Sequence, residues 1–180
     1  MCADSYKDIA RRAYQLGLKY EQEKKACAQC IVASLVEVFN IKEDGLFRAS
    51  FGLQGGLACT CDGTCGALSG GILILNYFYG RTREEFESQG FKPLESPKFP
   101  WEEKGLVLAK ELINRFIEEY GSIMCEDIQK EIIGFKADFW TEKGIEIFDD
   151  AGGHKDKCPV VVAKAAQWTA EIILREREKH

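Results

Sequence analysis

The chain has 180 residues, of which 46% are hydrophobic and 29% charged. That composition is typical of a globular protein with a substantial buried core and excludes extensive disorder. Its 24 Lys and Arg against 29 Asp and Glu give a formal net charge of −5, which argues against nucleic-acid binding, because phosphate contacts need clustered basic residues.

Apolar residues recur at intervals of three and four along most of the chain, which predicts a mostly helical bundle. Five main helices are predicted, over about residues 6–20, 26–40, 64–80, 106–120 and 161–179. Two shorter helices are predicted near 125–133 and 139–148. Loops are expected at 52–63, 88–100 and 149–157. Since no segment alternates with period two, we predict an all-α fold with one domain over residues 1–180.

The N-terminal residues predict a protein without a secretory signal, because charges from Asp4 to Arg12 interrupt every apolar run. The longest apolar segment, Ile72–Tyr79, is far shorter than the roughly 20 residues needed to span a bilayer. We therefore expect a cytoplasmic location. In that reducing compartment, clustered cysteines indicate metal or redox chemistry more often than structural disulfides.

Glycines are concentrated in the predicted loop before the third helix and in the first turns of that helix. Gly66 and Gly70 lie one turn apart on the helix. Their missing side chains would allow another helix or a cofactor to approach the backbone closely. The pattern is equally consistent with a tight loop and close helix packing.

Eight cysteines are too few for a disulfide scaffold of this length, which would need roughly 8–10%. Three of them fall at predicted helix starts. Thr64 as N-cap would place Cys65 first in its helix, and Ser122 as N-cap would place Cys125 third. Cys158, which precedes a proline, would itself be an N-cap. The backbone N–H groups at helix starts favour the thiolate, which is the form that binds metals or attacks disulfides.

The remaining cysteines form close pairs, apart from Cys2, which we regard as incidental. Cys27 and Cys30 make a C-x-x-C on the second helix. Cys59 and Cys61, followed by Cys65, make a C-x-C-x3-C. This second spacing matches neither a ferredoxin run nor a zinc ribbon. Any single cysteine is best explained by packing in the core, but the set as a whole indicates metal or redox chemistry.

The two histidines carry less information. His154 lies in a glycine-containing loop, where a solvated side chain is expected rather than a ligand or proton carrier, and His180 ends the chain. No C-x-x-C-H motif is present, so the sequence gives no support for covalent haem attachment.

Over about residues 10–175, the sequence resembles the C_GCAxxG_C_C family of redox-active proteins. Cys65-Gly66-Ala67-Leu68-Ser69-Gly70 matches the core of the family motif, and Cys27, Cys125 and Cys158 match the other cysteines. The resemblance implies a helical domain whose four cysteines bind a redox centre. A similar domain occurs in split-Soret cytochrome c, with an iron–sulfur cluster attributed to it.

The leading hypothesis is an iron–sulfur protein that transfers electrons, with a 2Fe–2S or 4Fe–4S cluster. Its ligands would be Cys27, Cys65, Cys125 and Cys158, with Gly66 and Gly70 against the cofactor, and with Cys30, Cys59 and Cys61 as candidate additional ligands. Its partner would be a redox protein or a small electron donor or acceptor, and the pattern is compatible with a homodimer. One alternative is a thiol–disulfide oxidoreductase using Cys59/Cys61 or Cys27/Cys30. Another is a structural zinc site.

Overall fold

The computed structural model describes residues 3–89 and 103–179, and over these ranges the chain is all-α, as predicted. No β-strand occurs within them, although Thr64 and Met124 form an isolated antiparallel bridge. The helices are α1 (Ala3–Lys24), α2 (Cys27–Phe39), α3 (Asp44–Ala49), α4 (Gly66–Tyr79), α5 (Arg83–Gln89), α6 (Lys104–Tyr120), α7 (Cys125–Ile133), α8 (Glu142–Asp150) and α9 (Cys158–Glu178).

Five of these helices have 13 or more residues, namely α1, α2, α4, α6 and α9, and they correspond to the five main helices predicted. The short helices α7 and α8 also form where they were predicted. Helix α3 was not predicted, because none of its six residues is buried and it therefore has no apolar stripe. A 3-10 turn at Phe51–Leu53 overlaps the predicted loop 52–63, and a π-helical turn at Gly153–Lys157 occupies the loop predicted at 149–157.

Three predictions fall partly or wholly on residues that the structure does not describe. These are the loop 88–100 from residue 90 onward, Cys2 and His180. Within the described ranges, no helix combines the length and the apolar character needed to cross a membrane.

The bundle core is built around α9, which packs along α1 and against α2 and α4. Helices α1 and α9 are close together at Gly17, where an added Cβ atom would lie 3.2 Å from Ala163 Cα and from Ala166 Cβ. Helix α6 covers the other side, with the Phe116 ring edge-on to Trp168 at a centroid distance of 5.7 Å. This arrangement places the N-terminal ends of α2, α4, α7 and α9 around one cavity.

Candidate redox centre

The four cysteines that the sequence identified as candidate ligands all lie at helix N-termini. Cys27, Cys125 and Cys158 are the first residues of α2, α7 and α9, and Cys65 is the N-cap of α4. Thr64 and Ser122, which were predicted to be N-caps, therefore do not cap these helices. Thr64 instead pairs with Met124 in the bridge, while the hydroxyl of Ser122 accepts a hydrogen bond from the Met124 N–H at 3.1 Å.

The predicted N-cap role of Cys158 also shifts by one residue, because helix α9 begins at Cys158 with Lys157 as its N-cap. Helices α4 and α7 are joined at their starts, since the Cys65 N–H donates to the Ile123 carbonyl at 2.8 Å. After these shifts of one or two residues, the thiols still lie at helix N-termini, where backbone N–H groups without helical partners are available.

One cavity of about 280 Å³ brings these four thiols together, and Cys59 lines it as well. The volume compares with roughly 30 Å³ for one water molecule. Aromatic and aliphatic side chains line the rest of the wall, which includes Phe139, Ile145, Phe148, Val161 and Val162. The polar residues on the wall are Glu21, Lys25, Gln54, Gln129 and His154. The cavity can therefore hold a group much larger than water against several sulfurs.

The loop before α4 closes the cavity with an unusual left-handed turn. All five residues from Gly55 to Cys59 have positive φ, between 47° and 69°. The three that are not glycine are strained there, because their Cβ atoms crowd the following carbonyl. Such strain is typical of functional sites. The turn directs the Gly55 N–H at Cys27 Sγ, 3.3 Å away, and the exposed Trp140 indole donates to the Ala58 carbonyl at 3.1 Å.

The two glycines predicted to approach a cofactor lie in different surroundings. A Cβ atom added to Gly66 would lie 2.4 Å from Cys27 Sγ, so this glycine borders the thiols. Gly70 lies against α2, where an added Cβ would be 2.8 Å from the Ala28 carbonyl oxygen. Gly70 thus allows close packing of α2 and α4.

Burial dominates the titration of the cavity thiols. It raises the pKa values of Cys27 and Cys158 well above that of an ordinary thiol. Burial also raises the pKa of Cys65 to about 11, although the N–H groups of Leu68 and Ala67 lower it. From the sequence we expected helix starts to favour thiolates. Their N–H groups do lower the pKa of Cys65, but burial raises it by more. Burial therefore favours the protonated thiols, and their ionisation requires a positive partner such as a metal centre.

Cys61 and Cys125 are a pair of neighbouring thiols, of which Cys125 lines the cavity. Gln129 Nε2 lies 3.2 Å from Cys61 Sγ and 3.3 Å from Cys125 Sγ, while Gln129 Oε1 accepts the Ala137 N–H at 2.7 Å. The hydrogen bond from Cys125 lowers the pKa of Cys61 to about 7, and the same bond raises the pKa of Cys125. Sequence spacing did not identify this pair, because it joins a loop to a helix more than 60 residues away.

Cys30, the second cysteine of the C-x-x-C, points into the core next to Glu21 and is 3% exposed. Glu21 is itself buried, and its carboxylate accepts the Ala26 N–H at 3.2 Å. Burial raises the pKa of Glu21 to about 7. The signal for this burial was present in the sequence, since Ala10, Ala13, Gly17 and Glu21 form one stripe at intervals of three and four.

The expectation of a solvated His154 is wrong. Its side chain is only 13% exposed, lines the cavity, and packs edge-on against Phe148 at a centroid distance of 4.7 Å. His154 Nδ1 lies 2.6 Å from Asp149 Oδ1. Burial lowers the pKa of His154, although the Asp149 carboxylate raises it. Its surrounding glycines suggested an open loop, whereas the π-helical turn before α9 folds the ring inward.

Among the described residues, no three Cys, His, Asp or Glu side chains converge closely enough to hold a single metal ion. The model of a family described as "Putative redox-active protein (C_GCAxxG_C_C)" matches residues 25–172. These residues include the starts of all four helices that meet at the cavity. No curated protein and no solved structure matches the chain.

Proposed function

The chain belongs to the C_GCAxxG_C_C family of redox-active proteins, and from this membership we propose that it binds an iron–sulfur cluster and transfers electrons. Cys27, Cys65, Cys125 and Cys158 are the proposed ligands. The observation that carries the proposal is the convergence of these four thiols, each from a helix N-terminus, on one cavity. Iron–sulfur clusters are held by cysteine thiolates in this number.

The size of the cavity supports a cluster over a single ion. Four thiolates at 2.3 Å from one tetrahedral zinc ion would lie about 3.8 Å from one another. Here the thiols are distributed around the wall of a cavity of about 280 Å³. That spread suits a centre with several metal atoms, each bound by a different part of the wall.

The polar groups of the wall support a cofactor that accepts hydrogen bonds. The Gly55 N–H already points at Cys27 Sγ. The Gln54 side chain lines the cavity, and its Oε1 is buried with no hydrogen-bond partner in the described part of the chain. A half-turn exchanges the oxygen and nitrogen of an amide, so this side chain has an NH2 group that can serve as a donor to a sulfur acceptor. Such N–H donors raise the reduction potential of a cluster.

The residues of the chain have defined roles in this proposal. A bound cluster would supply reversible one-electron storage. The four helix N-termini stabilise the negative charge of the thiolates through their N–H groups. Phe139, Phe148 and Val161 restrict water on the apolar side. The electron donor or acceptor would be a partner protein or a small molecule.

Purification without oxygen, followed by visible absorption and assays of iron, acid-labile sulfide and zinc, tests the proposal. We expect a brown protein with iron and sulfide in equal amounts, whose ratio to protein distinguishes a 2Fe–2S from a 4Fe–4S cluster. A colourless protein that contains zinc would instead support the structural zinc site. A protein that takes up no iron, even after incubation with ferrous iron and sulfide, would reject the cluster.

A further inference from the structure

The sulfurs of Cys61 and Cys125 lie close together, because one nitrogen atom, Gln129 Nε2, is within hydrogen-bond distance of both. Cys61 is fully buried and Cys125 is 8% exposed, on the cavity side. The Gln129 amide contacts both sulfurs, at 3.2 and 3.3 Å. The Ala137 N–H donates to Gln129 Oε1, which fixes the orientation of the amide that contacts the two cysteine side chains.

The backbone around the two cysteines fixes their separation. The Cys125 N–H donates to the Gly63 carbonyl at 2.9 Å, and the Glu126 N–H donates to the Cys61 carbonyl at 3.0 Å. Gly56 lies directly beside both residues. A Cβ atom added there would be 2.7 Å from Cys125 Cβ and 2.8 Å from Cys61 Cα. The absence of that side chain lets the loop and the start of α7 come together.

We propose that Cys61 and Cys125 form a reversible disulfide when the cavity is empty, and that this disulfide prevents loading of the redox centre. The second half rests on the proposed function, because Cys125 cannot bind iron while bonded to Cys61. The pairing differs from both pairs that the sequence suggested. Cys30 lies beside Glu21, and Cys61 shares the Gln129 amide with Cys125.

The oxidant in this step is a small disulfide that enters the cavity. Cys125 lines the cavity and is the thiol that the oxidant can reach. Its Sγ loses its proton to the departing small thiolate as it attacks one sulfur of the oxidant, which forms a mixed disulfide and releases the first small thiol. Cys61 Sγ then attacks the Cys125 sulfur, forms the protein disulfide and releases the second small thiol. Two protein thiols are oxidised, one small disulfide is reduced, and the two protons leave on the released thiols.

Peptide mapping of the cluster-free protein tests the first half. The protein is treated with hydroxyethyl disulfide, free thiols are alkylated, and tryptic peptides are analysed without reduction. We expect a link between peptides 49–81 and 116–130 that is lost in Cys61→Ser and retained in the control Cys59→Ser. A link that persists in Cys61→Ser, a link to peptide 26–42, or no link at all would overturn the proposal.

Iron loading tests the second half. Oxidised and reduced samples are incubated with ferrous iron and sulfide. We expect the oxidised wild type and the control Cys59→Ser to lose iron uptake and regain it after reduction, while Cys61→Ser that has not been oxidised takes up as much iron as the reduced wild type. Full iron loading of the oxidised wild type would overturn the proposal that the disulfide prevents iron binding. If the disulfide forms but no reduced sample binds iron, the cluster is rejected and the thiol pair stands.

Discussion

The backbone of Gly66 lies so close to Cys27 that an added Cβ atom would be 2.4 Å from the Sγ atom. The same Cβ would lie 2.9 Å from Gln54 Cα and 3.0 Å from the Leu53 carbonyl oxygen. Two of these three neighbours are backbone atoms, which cannot move aside at little cost. The first turn of α4 therefore needs a glycine where it meets the thiol end of the cavity.

Gly66→Ala is expected to lower the free energy of unfolding by about 1–3 kcal/mol, because it overpacks the site, and to reduce bound iron. Gly45→Ala is the matched control, because a Cβ on that helical glycine meets nothing within 4 Å. It should leave stability unchanged or raise it by up to about 1 kcal/mol. Urea unfolding and iron content measure both effects. A Gly66→Ala protein as stable and as iron-rich as the wild type would show that the contact is unimportant.

Single cysteine substitutions are expected to separate the cavity thiols from the core thiol. Each of the four proposed ligands should lose iron and visible absorption when changed to serine: Cys27, Cys65, Cys125 and Cys158. Cys30→Ser is the control, because Cys30 is buried in the core and does not line the cavity. It should retain the absorption of the wild type. Iron retained in full by Cys27→Ser or Cys158→Ser would remove that residue from the ligand set.

Glu21 is expected to make the cluster-free protein less stable as the pH rises. Burial raises its pKa from 4.5 in the unfolded chain to about 7, so the folded state favours the protonated acid. The stabilising effect is complete below pH 4.5 and is lost as the pH rises through 7. The difference between the two pKa values corresponds to about 3 kcal/mol in the free energy of unfolding.

Glu21→Gln should therefore unfold at higher urea concentration than the wild type at pH 8, while the two proteins should differ little at pH 4.5. The exposed Glu23→Gln on the same helix serves as the control. Urea unfolding curves at the two pH values provide the measurement. Equal pH dependence in Glu21→Gln and the wild type would contradict the buried, protonated state of this acid.

Trp140→Phe is expected to loosen the left-handed turn. The substitution keeps an aromatic ring but removes the indole N–H that donates to the Ala58 carbonyl. We expect a loss of about 1 kcal/mol in stability and faster hydrogen exchange over residues 55–61. Hydrogen exchange followed by mass spectrometry measures the second effect. Unchanged exchange there would mean that the turn does not depend on Trp140.

The sequence was sufficient to predict the five long helices, because four carry an apolar stripe with helical period and the third, α4, is apolar nearly all round. It also located the four cysteines near helix starts, with errors of one or two residues. Those errors have a physical origin, since Thr64 pairs with Met124 between the starts of α4 and α7, and the Ser122 hydroxyl accepts the Met124 N–H ahead of helix α7. Tertiary hydrogen bonds outweighed local capping preference.

The parts of the site that were not predicted depend on contacts between distant segments. The contact between Cys61 and Cys125 arises only when the loop docks on α7. The positive φ values of Leu57 and Ala58 run against the preferences of these residues, so no local pattern predicts the turn. His154 was predicted to be solvated because its inward orientation is imposed by packing against Phe148.

Diffraction at the iron absorption edge, from crystals of protein purified and kept without oxygen, tests the central claim most directly. The account predicts anomalous density inside the cavity, in contact with the sulfurs of Cys27, Cys65, Cys125 and Cys158. Density confined to the protein surface, or an empty cavity in crystals of iron-containing protein, would contradict it.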